Sequence, residues 1–261
     1  CIAISFISIA QAAVISPEVI ELTRKSIVSI ETRVSHGAYV PKGRFTGTGF
    51  VNDLKKGFII TNRHVVGGPC VGDYLVTFSN GQKLQAKVMY YDDWLDFAVL
   101  QFDPRQAPAD LTEIKFSNQL PKQNQGVFII GSNEGQSFSF HDGYLSNLNS
   151  VAGIMPQHSY VINLNSAGGS SGSPIVGEDG LALGLNYAAA RTFSLAIKGQ
   201  YIQDVMKSLA AGVNPSRKHI GVICALYSLD DAVRHRKFPK DLAQTYLKDF
   251  PDARNNILVV K

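Results

Sequence analysis

An all-β fold, built as an antiparallel sandwich or a pair of barrels, is predicted by three features of the sequence. Between about residues 27 and 197, short apolar runs rich in Val, Ile, Phe and Tyr recur, among them SIVSIETRV, GTGFVN, GFIITN, YLVTFS, KLQAKVMYY, DFAVLQF, GVFII and LALGLNY. Gly, Asn, Asp and Pro punctuate these runs, and Ser79-Asn80-Gly81 is a good hairpin turn. No helical stripe separates them, which argues against an α/β sheet.

Composition bounds the rest. Apolar residues make up 45% of the 261 and charged residues 18%, as in a packed globular chain and unlike a disordered one. The length suffices for one large β domain or two smaller ones. A net charge of +4 is too small to imply a nucleic-acid surface. The densest basic run, Arg234-His235-Arg236-Lys237, reads as a solvated helix face.

The elements follow in order. The chain opens with CIAISFISIAQAA, and Ala10-Gln11-Ala12 fits a cleavage pattern. Residues 1–12 therefore read as the remnant of a signal peptide, implying a periplasmic or secreted protein. The run is too short to span a bilayer, so no integral membrane span is expected. Ser16-Pro17-Glu18 is a helix start, with a capping serine, proline at the first position and an early acid, and the helix should run to about Ser26. The strands come next. At Gly199 the pattern changes, and Ile202, Val205, Met206 and Leu209 form the stripe of an amphipathic helix that Gly212 ends. Residues 212–216 read as a linker. Beyond them come the strand-like HIGVICAL, a helix capped at Ser228, a helical stretch around Leu242–Leu247 and a final strand ILVV with no evident partner, which suggests that the chain stops inside a second domain. Of three cysteines, Cys1 belongs to the leader, while Cys70 and Cys224 have no C-x-x-C spacing and read as buried thiols.

Few residues are placed to do chemistry. Six histidines occur, none with metal-ligand spacing on a helix, and both H-E-x-x-H and phosphate-loop patterns are absent. No metal or other cofactor is expected. His64 follows the strand GFIITN directly, and 32 residues later Asp96 opens the run DFAVLQF. An acid there can hold the Nδ1–H of an imidazole. Asp92 and Asp93 compete for that role but precede Trp94 in what reads as a polar, solvated turn. A glycine-rich serine run, NSAGGSSGSPIV at residues 165–176, comes 75 residues beyond Asp96 at Ser171. The order His, Asp, Ser in a many-stranded β body is a specific signal, although none of the three is specific alone.

FTGTGFV, TNRHVV, LDFAVL and GGSSGSPIV resemble motifs of trypsin-fold serine proteases, and their spacing and flanks most resemble the HtrA (high-temperature-requirement) family. The resemblance implies a trypsin-like double six-stranded β-barrel over residues 13–211, with an incomplete PDZ-like domain over 217–261. It implies His64 as general base, Asp96 as its orienting acid and Ser171 as nucleophile. Gly169, Ser170 and Ser171 would form the oxyanion-hole loop, with the Gly169 and Ser171 N–H groups as its donors. Ser166, Asn186 and Leu195 would line the specificity pocket. Asn165, where a trypsin-like pocket would carry a carboxylate, disfavours a Lys/Arg preference, and Gly184-Leu185-Asn186-Tyr187 lacks the histidine of glutamate-specific relatives. Small or medium apolar side chains are the expected preference. Ser170 and Ser173 depart from the asparagine and small residue usual in the family. The implied partners are unfolded proteins or peptides, with assembly as a homo-trimer. The alternative reading is a chaperone or peptide-binding module whose catalytic machinery is idle.

Overall fold

The computed structural model describes residues 15–38, 40–92, 94–133, 135–152, 155–215, 224–251 and 256–260. The leader residues 1–12, Asp93 and the first part of HIGVICAL lie outside them. Helix α1 (Pro17–Ser26) begins as its sequence dictates, with Ser16 Oγ accepting from the Val19 N–H at 3.2 Å. Twelve strands then close into two antiparallel barrels. The first contains β1 (Ile27–Gly37), β2 (Gly43–Asp53), β3 (Phe58–Thr61), β4 (Cys70–Phe78), β5 (Lys83–Tyr91) and β6 (Ala98–Phe102). The second contains β7 (Gly126–Asn133), β8 (Gln136–Ser150), β9 (Ser159–Asn163), β10 (Pro174–Val176), β11 (Ala182–Ala189) and β12 (Ser194–Lys198). The expected hairpin joins β4 to β5, with Gly81 at φ +85° and Phe78 N–H bonded to the Gln82 carbonyl.

Apolar runs that do not alternate have a physical cause: these strands are buried on both faces. Ile59 points into the first barrel with Val28, Ile30 and Leu100, while Phe58 and Ile60 on either side of it join a second cluster. Val127 and Ile129 likewise fill the other barrel, and Phe128 and Ile130 join that same second cluster. This shared cluster takes residues from both barrels, so it is the seam between them. Each large apolar side chain fully buried there contributes about 1.5–3 kcal/mol.

Helix α3 (Gly199–Ala210) buries the expected Ile202, Val205, Met206 and Leu209 against the seam. Gly199 starts it because a Cβ there would stand 2.7 Å from the Phe116 ring and 2.8 Å from the Leu183 carbonyl oxygen. Past residue 215, β13 (Cys224–Ser228) leads through α4 (Leu229–His235) and α5 (Lys240–Asp249) to β14 (Asn256–Val260). Ser228 caps α4 as expected, and Arg234 to Lys237 are exposed. The final strand corrects its sequence reading: β14 pairs antiparallel with β13, Leu226 opposite Leu258. Cys70 is free but only half-buried, and the side chain of Cys224 lies outside the description. Among the described residues no helix is long and apolar enough to cross a membrane.

Candidate active site

Three loop segments converge where the barrels meet. After β3, the chain does not end in a bare strand tip; it makes one helical turn, α2 (Arg63–Val66), closed by Gly67 in the left-handed region at φ 79°. The turn lifts His64 out of the barrel, leaving about half of its side chain exposed, while Val65 and Val66 anchor it inside.

Asp96 sits two residues ahead of β6 and grips this turn twice. Its Oδ2 lies 2.5 Å from His64 Nδ1, and its Oδ1 accepts the His64 backbone N–H at 2.9 Å. The buried Asn62 steadies the other side by donating to the Asp96 carbonyl at 2.7 Å. A carboxylate on Nδ1 leaves Nε2 without the proton in the neutral ring, free to act as a base.

Asp92 is not the solvated residue its sequence context suggested. It is fully buried, with Oδ1 accepting the Trp94 and Leu95 N–H groups at 2.9 Å each and Oδ2 accepting the Tyr90 hydroxyl at 2.8 Å. Its own N–H donates to Phe97. The carboxylate thus organises the turn that carries Asp96. The Asp92-Asp93 pair made the segment look polar in the sequence, and only the fold reveals that Asp92 turns inward.

The serine run forms the third segment. Ser171 is fixed through its carbonyl, which accepts the Thr48 N–H of β2 at 2.8 Å. Gly172 follows at φ +89°, and a Cβ there would strike the Thr48 carbonyl oxygen at 1.9 Å and Thr61 Oγ1 at 2.6 Å, so only glycine fits. Thr61 is three residues before His64, which brings the serine loop to the base. Among the described residues, neither Ser171 Oγ nor His64 Nε2 makes a hydrogen bond. Gly169 adopts φ +100°, and Thr48 Oγ1 donates to its carbonyl at 2.8 Å.

The amides of this loop are not equivalent. The Ser170 N–H is already committed to the Ala167 carbonyl at 3.0 Å, and the Gly172 N–H to Asn186 at 2.9 Å. Those of Gly169 and Ser171 have no acceptor among the described residues. Of the three residues assigned to the oxyanion loop, Ser170 therefore supplies no free donor; it is buried and bonded through its side chain, with Oγ 3.0 Å from Asn133 Oδ1.

The residues assigned to the pocket differ in exposure. Ser166 Oγ is 2.7 Å from Ser194 Oγ, and Leu195 is partly buried on β12. Asn186 is buried and braces the serine loop, donating through Nδ2 to the Ser170 carbonyl at 3.0 Å. In the sequence Tyr187 stands out only as a non-histidine. It is buried beside them, with its hydroxyl 3.0 Å from Ser159 Oγ. Burial raises its pKa, the Ser159 bond opposes this, and the nearby Asp96 charge adds to the rise. Among the described residues no group of His, Cys, Asp or Glu is arranged to hold a metal ion.

Known proteins resemble this chain in sequence and in fold. Residues 47–185 match the trypsin-like peptidase domain. The pro-apoptotic serine protease NMA111 of Debaryomyces hansenii is 36% identical over 179 residues, covering 64% of this chain and 18% of that protein. Its namesake in Aspergillus terreus is 34% identical over 200 residues, covering 69% of this chain and 18% of that protein. The chain thus spans about a fifth of the length of the curated relatives it matches. Among solved structures, the Rv3671c protease in its inactive form superimposes with a TM-score of 0.59 at 22% identity, over 75% of this chain and 97% of that one. A mutant of it from M. tuberculosis gives 0.60 at 20% identity, over 79% and 99%. Two closed six-stranded barrels that meet at a histidine, an aspartate and a serine followed by glycine, together with a domain match over more than half of the sequence, place this chain in the trypsin-like peptidase family.

Proposed function

We propose that the chain is a serine endopeptidase working by acyl transfer. In this reading Ser171 attacks a peptide carbonyl as His64 Nε2 takes its proton. Asp96 holds the imidazole tautomer and stabilises the cation that forms. The tetrahedral oxyanion is received by the N–H groups of Gly169 and Ser171, neither of which has an acceptor among the described residues. His64 returns the proton to the leaving amine, and water then hydrolyses the acyl-enzyme along the same path. The observation that carries the reading is the double grip of Asp96 on His64, one bond to Nδ1 and one to the backbone. A histidine with a merely structural role has no need of that tautomer.

Unfolded polypeptide is the proposed substrate, with small or medium apolar side chains in a pocket bounded by the uncharged Ser166, Asn186 and Leu195. Export and trimer formation belong to the same proposal; they rest on residues 1–12 and on the HtrA resemblance respectively. A second reading, peptide binding without turnover, is favoured by one feature: the bond between Ser171 and His64 is not made.

Labelling with a fluorophosphonate probe, followed by peptide mapping, tests the proposal. Label on Ser171 is expected, lost in both Ser171→Ala and His64→Ala, with the melting temperature of Ser171→Ala near that of the parent. A folded, unlabelled protein that retains a denatured polypeptide intact would replace the endopeptidase with the binding module.

A further inference from the structure

We propose that Asn133 is a positioning residue that holds the nucleophile loop through its carboxamide oxygen, and that His141 fixes which way this amide faces. The inference rests on the endopeptidase reading of Ser171 and adds a control point outside the triad. Asn133 ends β7, and His141 lies across the hairpin in β8. Asn133 Oδ1 accepts the Ala167 N–H at 2.6 Å and the Ser170 hydroxyl at 3.0 Å, one residue to either side of the Gly168-Gly169 pair. On its other side, Asn133 Nδ2 lies 2.9 Å from His141 Nε2.

The orientation of the amide follows from the chemistry of its partners. The Ala167 N–H can only donate, so the atom facing it must be the oxygen. The amino group is then turned to His141, whose Nε2 must accept and whose neutral ring carries its proton on Nδ1. A rotated amide would set two donors against each other at Ala167. His141 prevents this by offering a lone pair to the amino group alone. The loop is thus held from β7 by Asn133, from β2 by Thr48 and from β11 by Asn186, which leaves the Gly169 and Ser171 amides in a fixed place. A missing oxyanion donor costs about 100- to 1000-fold in turnover, so a slack loop forfeits part of that while leaving ground-state binding alone.

The test is the saturation kinetics of fluorophosphonate labelling, which separates the binding constant KI from the chemical rate kinact. Asn133→Ala is expected to lower kinact by roughly tenfold or more, part of the loss for a whole donor, with KI nearly unchanged. Asn133→Asp should restore most of the rate: a carboxylate oxygen accepts both loop bonds, and His141 can move its proton to Nε2 to suit the second oxygen. His141→Leu should also be slow, and Asn133→Asp introduced into it should speed it up, because a carboxylate has no wrong face. That pair decides the matter even should Asn133→Ala fail to fold. Parent-like kinact in His141→Leu, or a double variant no faster than His141→Leu alone, would overturn the inference while label on Ser171 of the parent protein upholds the endopeptidase. An unlabelled parent protein overturns both.

Discussion

Tyr187 keeps a buried hydroxyl, bonded to Ser159, within reach of the charge of Asp96, the carboxylate bonded to His64. Its pKa is raised above the ordinary 10.0 chiefly by burial, with the Asp96 charge as a further cause. A phenol raised in the folded state contributes stability that is complete below its unfolded value and is lost as pH rises through the folded one. The parent protein should therefore lose melting temperature above about pH 10 more steeply than Tyr187→Phe. Comparing the two is needed because Tyr160 is also pushed up, to about 12, by burial and by Tyr201. Equal slopes above about pH 10 would count against the assignment. Near neutrality Tyr187→Phe should instead destabilise by about 1–3 kcal/mol, since the buried Ser159 hydroxyl loses its partner. At this scale His64, Asp96 and Ser171 were legible as candidates because their residue types and flanks carry chemistry. Tyr187, Asn133 and His141 were not, because each matters only through a partner from another strand. The burial of Asn62 and the double grip of Asp96 were equally hidden.

Single elements were legible where their ends are encoded locally. Ser16, Ser228 and the stripe of α3 rest on neighbours within a few residues, and each lies where the pattern places it. The turn between β5 and β6 is the counterexample. Asp92 looks like any polar turn residue until the fold wraps Tyr90, Trp94 and Leu95 around it. The partner of β14 was equally invisible, because strand pairing across two intervening helices leaves no local mark. Asp92→Ala strips at least three bonds from a site with no access to water. It should cost about 2–3 kcal/mol, lowering the melting temperature by roughly 5–10 °C. Slackening the same turn should also slow fluorophosphonate labelling, because Asp96 is carried on it. Asp92→Asn keeps an acceptor for both N–H groups and a donor that the Tyr90 hydroxyl can accept, so it should be far milder. A thermal melt and a labelling time course on both variants check this; an Asp92→Ala protein as stable and as quickly labelled as its parent would refute it.

At the scale of the whole molecule, the site lies where the barrels meet, so its geometry depends on how they are joined. Strands buried on both faces send alternate side chains inward and outward, and the outward set from each barrel forms one seam with α3. Phe50 meets Phe116 edge-on there at 5.9 Å, and Phe128 from the second barrel stacks on Phe140 at 5.6 Å. The repeated apolar runs announced many strands but left a sandwich or a pair of barrels open; the double barrel was legible only through the resemblance of the motifs, because closure depends on long-range pairings such as Val28 with Phe78. A continuous seam should make the two barrels unfold together. The sole tryptophan, Trp94, lies beside Asp96 in the first barrel, whereas Phe128 belongs to the second. Phe128→Ala leaves a cavity at the seam and should cost about 3–5 kcal/mol. In a cooperative molecule this loss moves the Trp94 fluorescence transition and the circular dichroism transition by the same amount, although the substitution is in the other barrel. If Trp94 still melts where it does in the parent while the circular dichroism midpoint falls, the barrels unfold independently. The seam would then align the three segments of the candidate site without binding the barrels into a single cooperative unit.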